Sequence, residues 1–408
     1  MKRRKFIQLA SVLSASTIVN IGAHSWVAKG LAQTNNRQRL IVVFLRGGVD
    51  GLSVVVPHQE EVYYQLRPKI AIPRPGEPNG ALDLDGFFGL HPALAPVMPF
   101  WQNRTLAFVH ASGSKDPTRS HFDAQHYMEV GTPGEKSTDD GWMNRLLGNL
   151  PKDRPTQAVN IGDTPPRILV GQMPVASLPT GKKSTRPLPI DRPPIYEAFD
   201  RLYSGNDELS RVYREGRQAR ELLLADLAKE MEAASNGATP PVGFASDASK
   251  LARVMRGDSR TQLGFIGVGA WDTHVNQGNS KGQLARKLKH LGEGIATLVN
   301  ELGPLYADTA IVVMSEFGRT AKENGNGGTD HGHGNAMWVL GGGIRGGQVL
   351  GEWPGLDQSE LYEGRDLAVT TDFRDAIATV LEGHMGVQRS QLAGVFPGNS
   401  SNRRLALL

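Results

Sequence analysis

The chain has 408 residues, of which 39% are hydrophobic, 48 are glycine and 25 are proline, and it contains no cysteine. This composition indicates a globular, loop-rich protein, and it excludes disulfide bridges and thiolate metal sites. The formal net charge of +4 comes from the first 32 residues, which carry five basic and no acidic side chains. The rest of the chain holds 40 basic and 41 acidic residues, so its charge does not favour binding to nucleic acid.

The first 32 residues have the order of an export signal. A basic cluster that includes Arg3 and Arg4 precedes a modestly apolar run, and small residues around Ala32 offer a cleavage site. Paired arginines are typical of the twin-arginine pathway. We therefore expect a signal peptide over residues 1–32 and a periplasmic or secreted protein, exported already folded by the twin-arginine translocation machinery. An uncleaved membrane anchor is the alternative, although the run is short for a span; we expect no integral span in the mature chain.

Alternating strands and helices follow the leader. Residues 40–45 form a continuous β-branched apolar run, as expected of a strand buried on both faces of a parallel sheet. Further strands are predicted at residues 106–111, 157–161, 167–170, 261–269, 309–314 and 336–343, and helices after Ser120, over about 195–236 and 280–303, and in ASDASKLARVM and TTDFRDAIATVLEGHMG. This alternation favours a three-layer α/β/α sandwich with a mainly parallel sheet. We expect one domain over residues 33–408, with loop and helical insertions at about 57–90 and 151–240.

Polar side chains follow several of the predicted strands at their C-terminal ends. They are Asp50, Ser120, Asp272 with His274, and Glu316 with Arg319. In open α/β sheets, ligands bind in the crevice beyond this edge. A single Asp after a strand is usually a turn or cap residue, but the coincidence of these groups on one predicted edge indicates a site.

The stretch GTDHGHG, residues 328–334, places Asp330, His331 and His333 within four positions. In the absence of Cys, a set of Asp, Glu and His side chains suits a divalent metal, Zn²⁺ or Mn²⁺, with Mg²⁺ or Ca²⁺ as alternatives. Two such ions held close together would clamp a phosphoryl-type group and activate a nucleophile. The alternative interpretation is a polar loop whose side chains cap neighbouring backbone.

Ser120 stands where a helix begins, so that backbone amides and the helix dipole favour an anion in front of it. Ser120 is thus a candidate nucleophile, although a helix-capping serine is also common for stability alone. Arg119 and Arg319 are candidates to stabilise a transferring tetrahedral anion. His121 is interpreted either as support behind the site or as part of a polar helix face.

Five motifs together resemble the domain-of-unknown-function family 1501 (DUF1501): RGGVDGLS, SHFDAQ, WDTH, SEFGRT and GTDHGHG. That exported family is assigned to the alkaline phosphatase superfamily, and the resemblance covers roughly residues 40–390. It implies an alkaline phosphatase-like fold. It also implies that Asp50 takes the place of the first-strand metal ligand and that Ser120 takes the place of the nucleophile.

The resemblance further implies two groups of metal ligands. One ion would be shared by Asp50, Glu316 and Ser120, and the other would be held by Asp272, His274 and one histidine of the pair His331 and His333. The chain departs from the superfamily at Phe317, because phosphatases and sulfatases typically have a ligand at that position. The number of ions, one or two, therefore stays open. An ordinary sulfatase is not expected, because the chain lacks the Cys/Ser-x-Pro/Ala-x-Arg motif.

Three functions remain open from the sequence. We expect a metal-dependent hydrolase of a small-molecule or glycan-type anionic ester, such as a phosphate or sulfate ester. The alternative is a non-catalytic metal-binding periplasmic protein that keeps the fold to recognise a glycan or a partner protein, and Phe317 favours this alternative. A purely structural exported protein, without a stoichiometric metal ion, is the third.

Overall fold

The computed structural model describes residues 38–150, 157–178, 180, 204–205, 207, 210, 235–257, 261–399, 401 and 403–408. The predicted signal peptide, and most of the helix predicted over 195–236, lie outside the described residues. The part of the chain from Gln38 to Leu408 forms one compact unit. Among the described residues, no helix is both long enough and apolar enough to cross a membrane.

The strands and helices alternate along most of the chain. The strands are β1 (Arg39–Leu45), β2 (Val55–Val56), β3 (Leu82–Asp83), β4 (Gly89–Leu90), β5 (Leu106–Gly113), β6 (Gln157–Ile161), β7 (Val175–Leu178), β8 (Thr261–Val268), β9 (Thr309–Ser315), β10 (Asn335–Gly341), β11 (Gln348–Leu350) and β12 (Thr371–Asp372). The helices are α1 (Gly51–Val54), α2 (Glu61–Leu66), α3 (Met98–Gln102), α4 (His121–Val130), α5 (Trp142–Asn149), α6 (Pro241–Gly257), α7 (Gln283–Leu302), α8 (Phe373–Gly383) and α9 (Arg389–Val395). Short 3-10 helices span Pro92–Val97, Arg167–Leu169 and Gly303–Asp308.

The main sheet has the strand order β11-β5-β10-β9-β1-β8-β6-β7, and β12 also pairs with β5. The strands pair in parallel except at β10, which is antiparallel to both β5 and β9. Because β10 runs in the opposite direction, its N-terminal end lies at the same edge as the C-terminal ends of β1, β5, β8 and β9. The stretch GTDHGHG, which leads into β10, therefore lies at the edge where the sequence predicted a site.

The two faces of β1 pack against different helix layers. Ile41 and Val43 belong to a core that includes α6 and α7, whereas Leu40 and Val42 belong to a core with α5 and α8. This division follows from the pleat, because successive side chains of a strand point to opposite faces. The predicted three-layer α/β/α sandwich with a mainly parallel sheet is confirmed.

Residues 167–170 are predicted as a strand, but Arg167–Leu169 form a 3-10 helix, and the neighbouring strand is β7 at Val175–Leu178. Ile168 and Leu169 are buried in the core that contains α5. A short apolar run fits a buried strand or a buried turn equally well, which explains the error. The segment 57–90 contains a short helix, as predicted, and it also contributes to a small sheet of order β2-β4-β3.

Candidate metal centre

Four side chains from three segments converge beyond the C-terminal ends of β5 and β8. His121 is the first residue of α4, Asp272 and His274 follow β8, and His331 lies in the segment that leads into β10. Suitable ligand atoms of His121, Asp272 and His331 all lie within 4.8 Å of one another. The strand ends thus bring together residues that are far apart in the sequence.

The three imidazoles approach one another through the same ring nitrogen. Nε2 of His331 lies 3.0 Å from Nε2 of His121 and 3.0 Å from Nε2 of His274. Oδ1 of Asp272 lies 2.9 Å from Nε2 of His274, and Oδ2 lies 3.6 Å from Nε2 of His121. Three nitrogens and one carboxylate therefore surround a common point.

Each of these imidazoles has an oxygen acceptor at its other ring nitrogen. The Nδ1 contacts are His121 to Glu316 Oε1 at 2.7 Å, His331 to the carbonyl oxygen of Arg119 at 2.9 Å, and His274 to Asp330 Oδ1 at 3.2 Å. Because carboxylate and carbonyl oxygens only accept, each Nδ1 carries a proton and donates it. In the neutral rings, every Nε2 then turns a lone pair toward the centre, which is the arrangement of metal-binding histidines.

One oxygen of the buried Asp272 carboxylate also lacks a hydrogen-bond donor among the described residues. Its side chain is fully buried, and Oδ2 accepts no hydrogen bond from any described residue. A buried, unpaired carboxylate oxygen is costly, and a cation beside it removes the cost. Together with three converging lone pairs, this oxygen fits a divalent metal ion held by three imidazoles and one carboxylate.

Charge in the metal-free centre shifts the pKa values of its groups. Burial lowers the pKa of His121, but the neighbouring carboxylates of Asp272 and Glu316 outweigh burial and raise it to about 9. Burial raises the pKa of Glu316, but the hydrogen bond and the charge of His121 lower it to about 2. The pKa of Asp272 is lowered, because its close contacts with the three histidines and the charge of Arg319 outweigh burial. Without a metal ion, a proton on His121 is therefore the cation that the centre holds.

Glu316 supports a ligand rather than facing the centre. Besides His121, its Oε1 accepts hydrogen bonds from Gln125 Nε2 at 2.9 Å and from the backbone amide of Gly47 at 2.8 Å. Phe317 packs its buried ring 4.7 Å from the ring of His121. Phe317 thus forms an apolar wall beside an imidazole.

Arg319 lies behind Asp272, and 1% of its surface is exposed. Its guanidinium donates to Asp272 Oδ1 and to the carbonyl oxygen of Gly47, each at 2.5 Å, and also to the carbonyl oxygen of Gly48 at 2.5 Å. It therefore orients the carboxylate. A substrate anion cannot reach a guanidinium held in this way, so the structure does not support the predicted contact between Arg319 and a substrate.

Arg119 and Ser120 directly precede α4, the helix that begins with His121. The guanidinium of Arg119 donates to Glu363 and Asp366 at 2.6 and 2.7 Å, and its carbonyl oxygen holds His331. Ser120 is the N-cap of α4, where its exposed side chain accepts a hydrogen bond of 3.4 Å from the amide of Asp123. The predicted helix start is thus present, and Arg119 contributes through its backbone.

Asp50 lies apart from the converging ligands and is fully buried. Its two carboxylate oxygens accept hydrogen bonds from Arg67 at 2.6 and 3.0 Å, and Ser53 and Gln277 add further contacts at 2.7 and 2.6 Å. Burial opposes its ionisation, but the charge of Arg67 outweighs burial and keeps the pKa of Asp50 below its usual value. The guanidinium therefore stands where the sequence predicted a metal ion beside Asp50.

The remaining two candidates, Asp330 and His333, do not face the centre. Asp330 receives the Nδ1 proton of His274 and a 3.0 Å hydrogen bond from Asn324, and its side chain is 56% exposed. The ring of His333 stacks on Tyr362 with 4.5 Å between the centroids. Within the stretch GTDHGHG, the imidazole of His331 is the one that meets His121, Asp272 and His274.

Two glycines, Gly318 and Gly332, allow the segment SEFGRT and the segment GTDHGHG to lie side by side. The amide of Gly318 donates to the carbonyl oxygen of His333, and the amide of Gly332 donates to that of Gly318, each at 2.9 Å. A Cβ atom on Gly332 would lie 2.3 Å from the carbonyl carbon of Arg319, and one on Gly318 would lie 1.8 Å from the carbonyl oxygen of Gly334. Only glycine fits this approach, so SEFGRT and GTDHGHG form one unit.

His121 is the candidate ligand that the sequence does not single out. The sequence indicates a supporting role or a polar helix face for His121, and it predicts Glu316 as a metal ligand. In the structure the two roles are exchanged, because His121 presents Nε2 to the centre and Glu316 holds its Nδ1. A histidine at the first position of a helix that follows a strand end is the signal that could have identified it.

A family model described as a protein of unknown function, DUF1501, matches residues 37–396. The chain belongs to the DUF1501 family. The resemblance that its five motifs indicated is thereby confirmed. No curated protein is similar enough in sequence to match this DUF1501 member.

Several solved structures are similar to this DUF1501 chain at low identity. The structure of Ps i-CgsB in complex with k-i-k-neocarrahexaose has 12% identity and a TM-score of 0.37, covering 87% of this chain and 73% of that one. A protein in the alkaline phosphatase superfamily from Vibrio parahaemolyticus has 9% identity and a TM-score of 0.38, covering 77% and 62%. The lipoteichoic acid synthase LtaP from Listeria monocytogenes has 8% identity and a TM-score of 0.36, covering 86% and 73%. These likenesses are too distant to transfer a substrate or a ligand.

Proposed function

We propose that this chain binds one divalent metal ion through His121, Asp272, His274 and His331, and that it hydrolyses a phosphate, sulfate or related ester there. The observation that carries the proposal is the convergence of three Nε2 atoms on a buried carboxylate while every Nδ1 has an oxygen acceptor. Three imidazoles and one carboxylate favour Zn²⁺ or Mn²⁺ over Ca²⁺ and Mg²⁺, which prefer oxygen ligands.

The surroundings of the ligands support hydrolysis at this place. When bound, a divalent ion supplies a Lewis acid for an ester oxygen and lowers the pKa of a hydroxyl group beside it. The side chains of His274 and His331 are 12% and 14% exposed, so a substrate reaches the centre from their side. Phe317 packs against the rings of both His121 and His331, and the buried Glu316 keeps the imidazole of His121 in one orientation.

Ser120 is the residue that we propose as the nucleophile. Its side chain is exposed at the start of α4, and the next residue is the ligand His121. A hydroxyl at the N-terminus of a helix lies in a field that stabilises the developing negative charge of the attacking oxygen. We do not assign an anion-binding role to Arg119 and Arg319, because both guanidinium groups already pair with carboxylates.

A chelator experiment tests the hydrolase. The protein is purified without chelator and assayed with p-nitrophenyl phosphate, bis(p-nitrophenyl) phosphate and p-nitrophenyl sulfate. We expect turnover of at least one ester that is lost on dialysis against a chelator and restored by Zn²⁺ or Mn²⁺. A protein that binds either ion but turns over none of the three esters is not a hydrolase of these classes.

The second candidate is a non-catalytic metal-binding protein that recognises a glycan or a partner protein. The full engagement of Asp50 by Arg67 favours it, because this carboxylate is unavailable for a second ion. One metal ion alone can still bind an oxygen atom of a glycan or of a partner protein. This candidate predicts stoichiometric metal without ester hydrolysis, and metal-dependent binding of acidic oligosaccharides in isothermal titration calorimetry.

Export by the twin-arginine pathway is part of the proposal and rests on the paired Arg3 and Arg4 near the start of the chain. Fractionation of cells that produce the full chain tests it. We expect the protein in the periplasm or medium, and we expect the Arg3→Lys, Arg4→Lys double variant to stay in the cytoplasm. Unchanged export of that variant would contradict the pathway.

A further inference from the structure

Gln277 is a fully buried amide in the loop between β8 and α7. Its Nε2 donates to Asp50 Oδ2 at 2.6 Å, and its Oε1 accepts from Thr273 Oγ1 at 2.7 Å and Thr329 Oγ1 at 3.0 Å. Because a carboxylate only accepts, the nitrogen must face Asp50, and this turns Oε1 toward the two hydroxyl groups. One side chain thus joins three separate loops.

The two threonines belong to the segments that carry the ligands. Thr273 lies between Asp272 and His274, and Thr329 lies two residues before His331. Both threonines are fully buried, and the amide of Thr329 donates to the carbonyl oxygen of Thr273 at 3.2 Å. A displacement of either hydroxyl from the amide therefore moves a ligand-bearing segment.

The buried ion pair of Asp50 and Arg67 holds the amide nitrogen of Gln277 in place. The two side chains have no exposed surface, and the guanidinium also donates to the carbonyl oxygens of Thr320 and Ala321 at 2.9 and 2.8 Å. A charged acceptor strengthens the hydrogen bond that the amide donates. The ion pair thereby anchors Gln277 in one orientation.

We propose that Gln277 is a positioning residue that sets the spacing between the Asp272–His274 segment and His331. The inference rests on the proposed function, because it concerns the same metal centre. Ligand atoms have to lie within about 0.2 Å of their ideal distances, and residues behind the ligands typically change metal affinity 10- to 100-fold. The amide reaches both segments through hydroxyl groups and touches neither an imidazole nor the Asp272 carboxylate.

Titration of the metal-free protein with Co²⁺, followed by visible absorption, tests the proposal. We expect Gln277→Leu and Thr329→Val to weaken Co²⁺ binding about 10- to 100-fold and to shift the absorption bands of the bound ion. Thr329→Ser keeps the hydroxyl, so it should bind Co²⁺ with the affinity and spectrum of the unchanged protein. The absorption bands report ligand geometry, which a general loss of stability does not alter.

Asn144→Leu is the matched control. Asn144 is also a buried amide that joins segments, through the carbonyl oxygens of Leu169 and Met173 at 2.9 Å, but it bonds to no ligand-bearing segment. If Gln277→Leu and Thr329→Val both keep the Co²⁺ affinity and the spectrum of the unchanged protein, the positioning role is wrong, although the metal centre is supported. An equal loss in Asn144→Leu, or in Thr329→Ser, also overturns the positioning role. Failure of the unchanged protein to bind Co²⁺ overturns the metal centre itself.

Discussion

Nε2 of His121 lies 3.0 Å from Nε2 of His331, although both rings give their Nδ1 protons to oxygen acceptors. Two neutral imidazoles in this relationship oppose their lone pairs. The contact is stable only with a cation, either a proton or a metal ion, shared by the nitrogens. Asp272, whose Oδ2 has no hydrogen-bond donor among the described residues, adds to this demand for positive charge.

Removing His121 is expected to abolish stoichiometric metal. His121→Ala deletes one of the four proposed ligands and leaves Glu316 without its imidazole partner. Elemental analysis of chelator-free protein should give about one equivalent in the unchanged protein and a small fraction of it in the variant. His126→Ala, a change on the same helix to an imidazole without a contact to the centre, is the control and should keep the metal. Equal metal content in both variants would show that α4 does not supply a ligand.

Metal affinity is expected to rise with pH up to about 9. The pKa of His121 is raised to about 9 in the metal-free centre, so below this pH the ion must displace a proton. Each pH unit below 9 should therefore weaken binding about tenfold, and the affinity should level off above it. Calorimetry in buffers of different ionisation enthalpy measures the affinity and the released proton together. An affinity that is flat between pH 6 and 9 would exclude this competition.

Glu316→Gln is expected to lower the pKa of His121 and to weaken metal binding. A glutamine can still accept through Oε1 from His121 and Gln125, but it carries no charge to stabilise the imidazolium. Above pH 9, where no proton on His121 competes with the ion, we expect a loss of about 10- to 100-fold in metal affinity, because Glu316 no longer makes the imidazole a stronger ligand. Titration of the imidazole by NMR in metal-free protein should show a pKa below 9. The remote Glu301→Gln change should leave both quantities as they are.

Arg67→Met is expected to destabilise the fold. The change leaves Asp50 buried without a charge partner, and breaking one side of such a pair costs about 3–5 kcal/mol. Urea denaturation should show a lower midpoint, and the pKa of Asp50 should rise. The Asp50→Leu, Arg67→Met double variant should recover part of the loss, because apolar residues remove the unpaired charge. A loss below about 1 kcal/mol in the single variant would contradict the buried ion pair.

Ser120→Asn separates a nucleophile from a helix cap. Asparagine caps helices about as well as serine, so the free energy of unfolding should change by less than about 0.5 kcal/mol. If Ser120 is the nucleophile, ester turnover should fall by a factor of about 100 or more. Ser120→Ala should lose turnover as well and about 1 kcal/mol of stability. Full turnover in Ser120→Asn would leave Ser120 with the capping role alone.

Local patterns predicted the architecture well because they report on burial. The β-branched run at β1 and the apolar runs at β5, β8 and β9 are buried strands, and they appear where the sequence placed them. Polar residues just past their ends lie at one edge because parallel strands end together. Asp272 and His274 are predicted for this reason, whereas His331 is predicted from the cluster of Asp and His in GTDHGHG.

The sequence by itself determined the layered fold, the edge that carries the polar groups, and three of the four converging side chains. The tertiary structure decided which atoms meet: β10 is antiparallel, His121 rather than Glu316 faces the centre, and Arg67 neutralises Asp50. The periodicity of a strand and the position of its end depend on neighbouring residues, so they can be recognised in a single sequence. The partner of a buried carboxylate depends on distances of a few tenths of an ångström between segments up to 269 residues apart, as for Gly47 and Glu316. No local pattern specifies such distances, because the packing of the whole chain sets them.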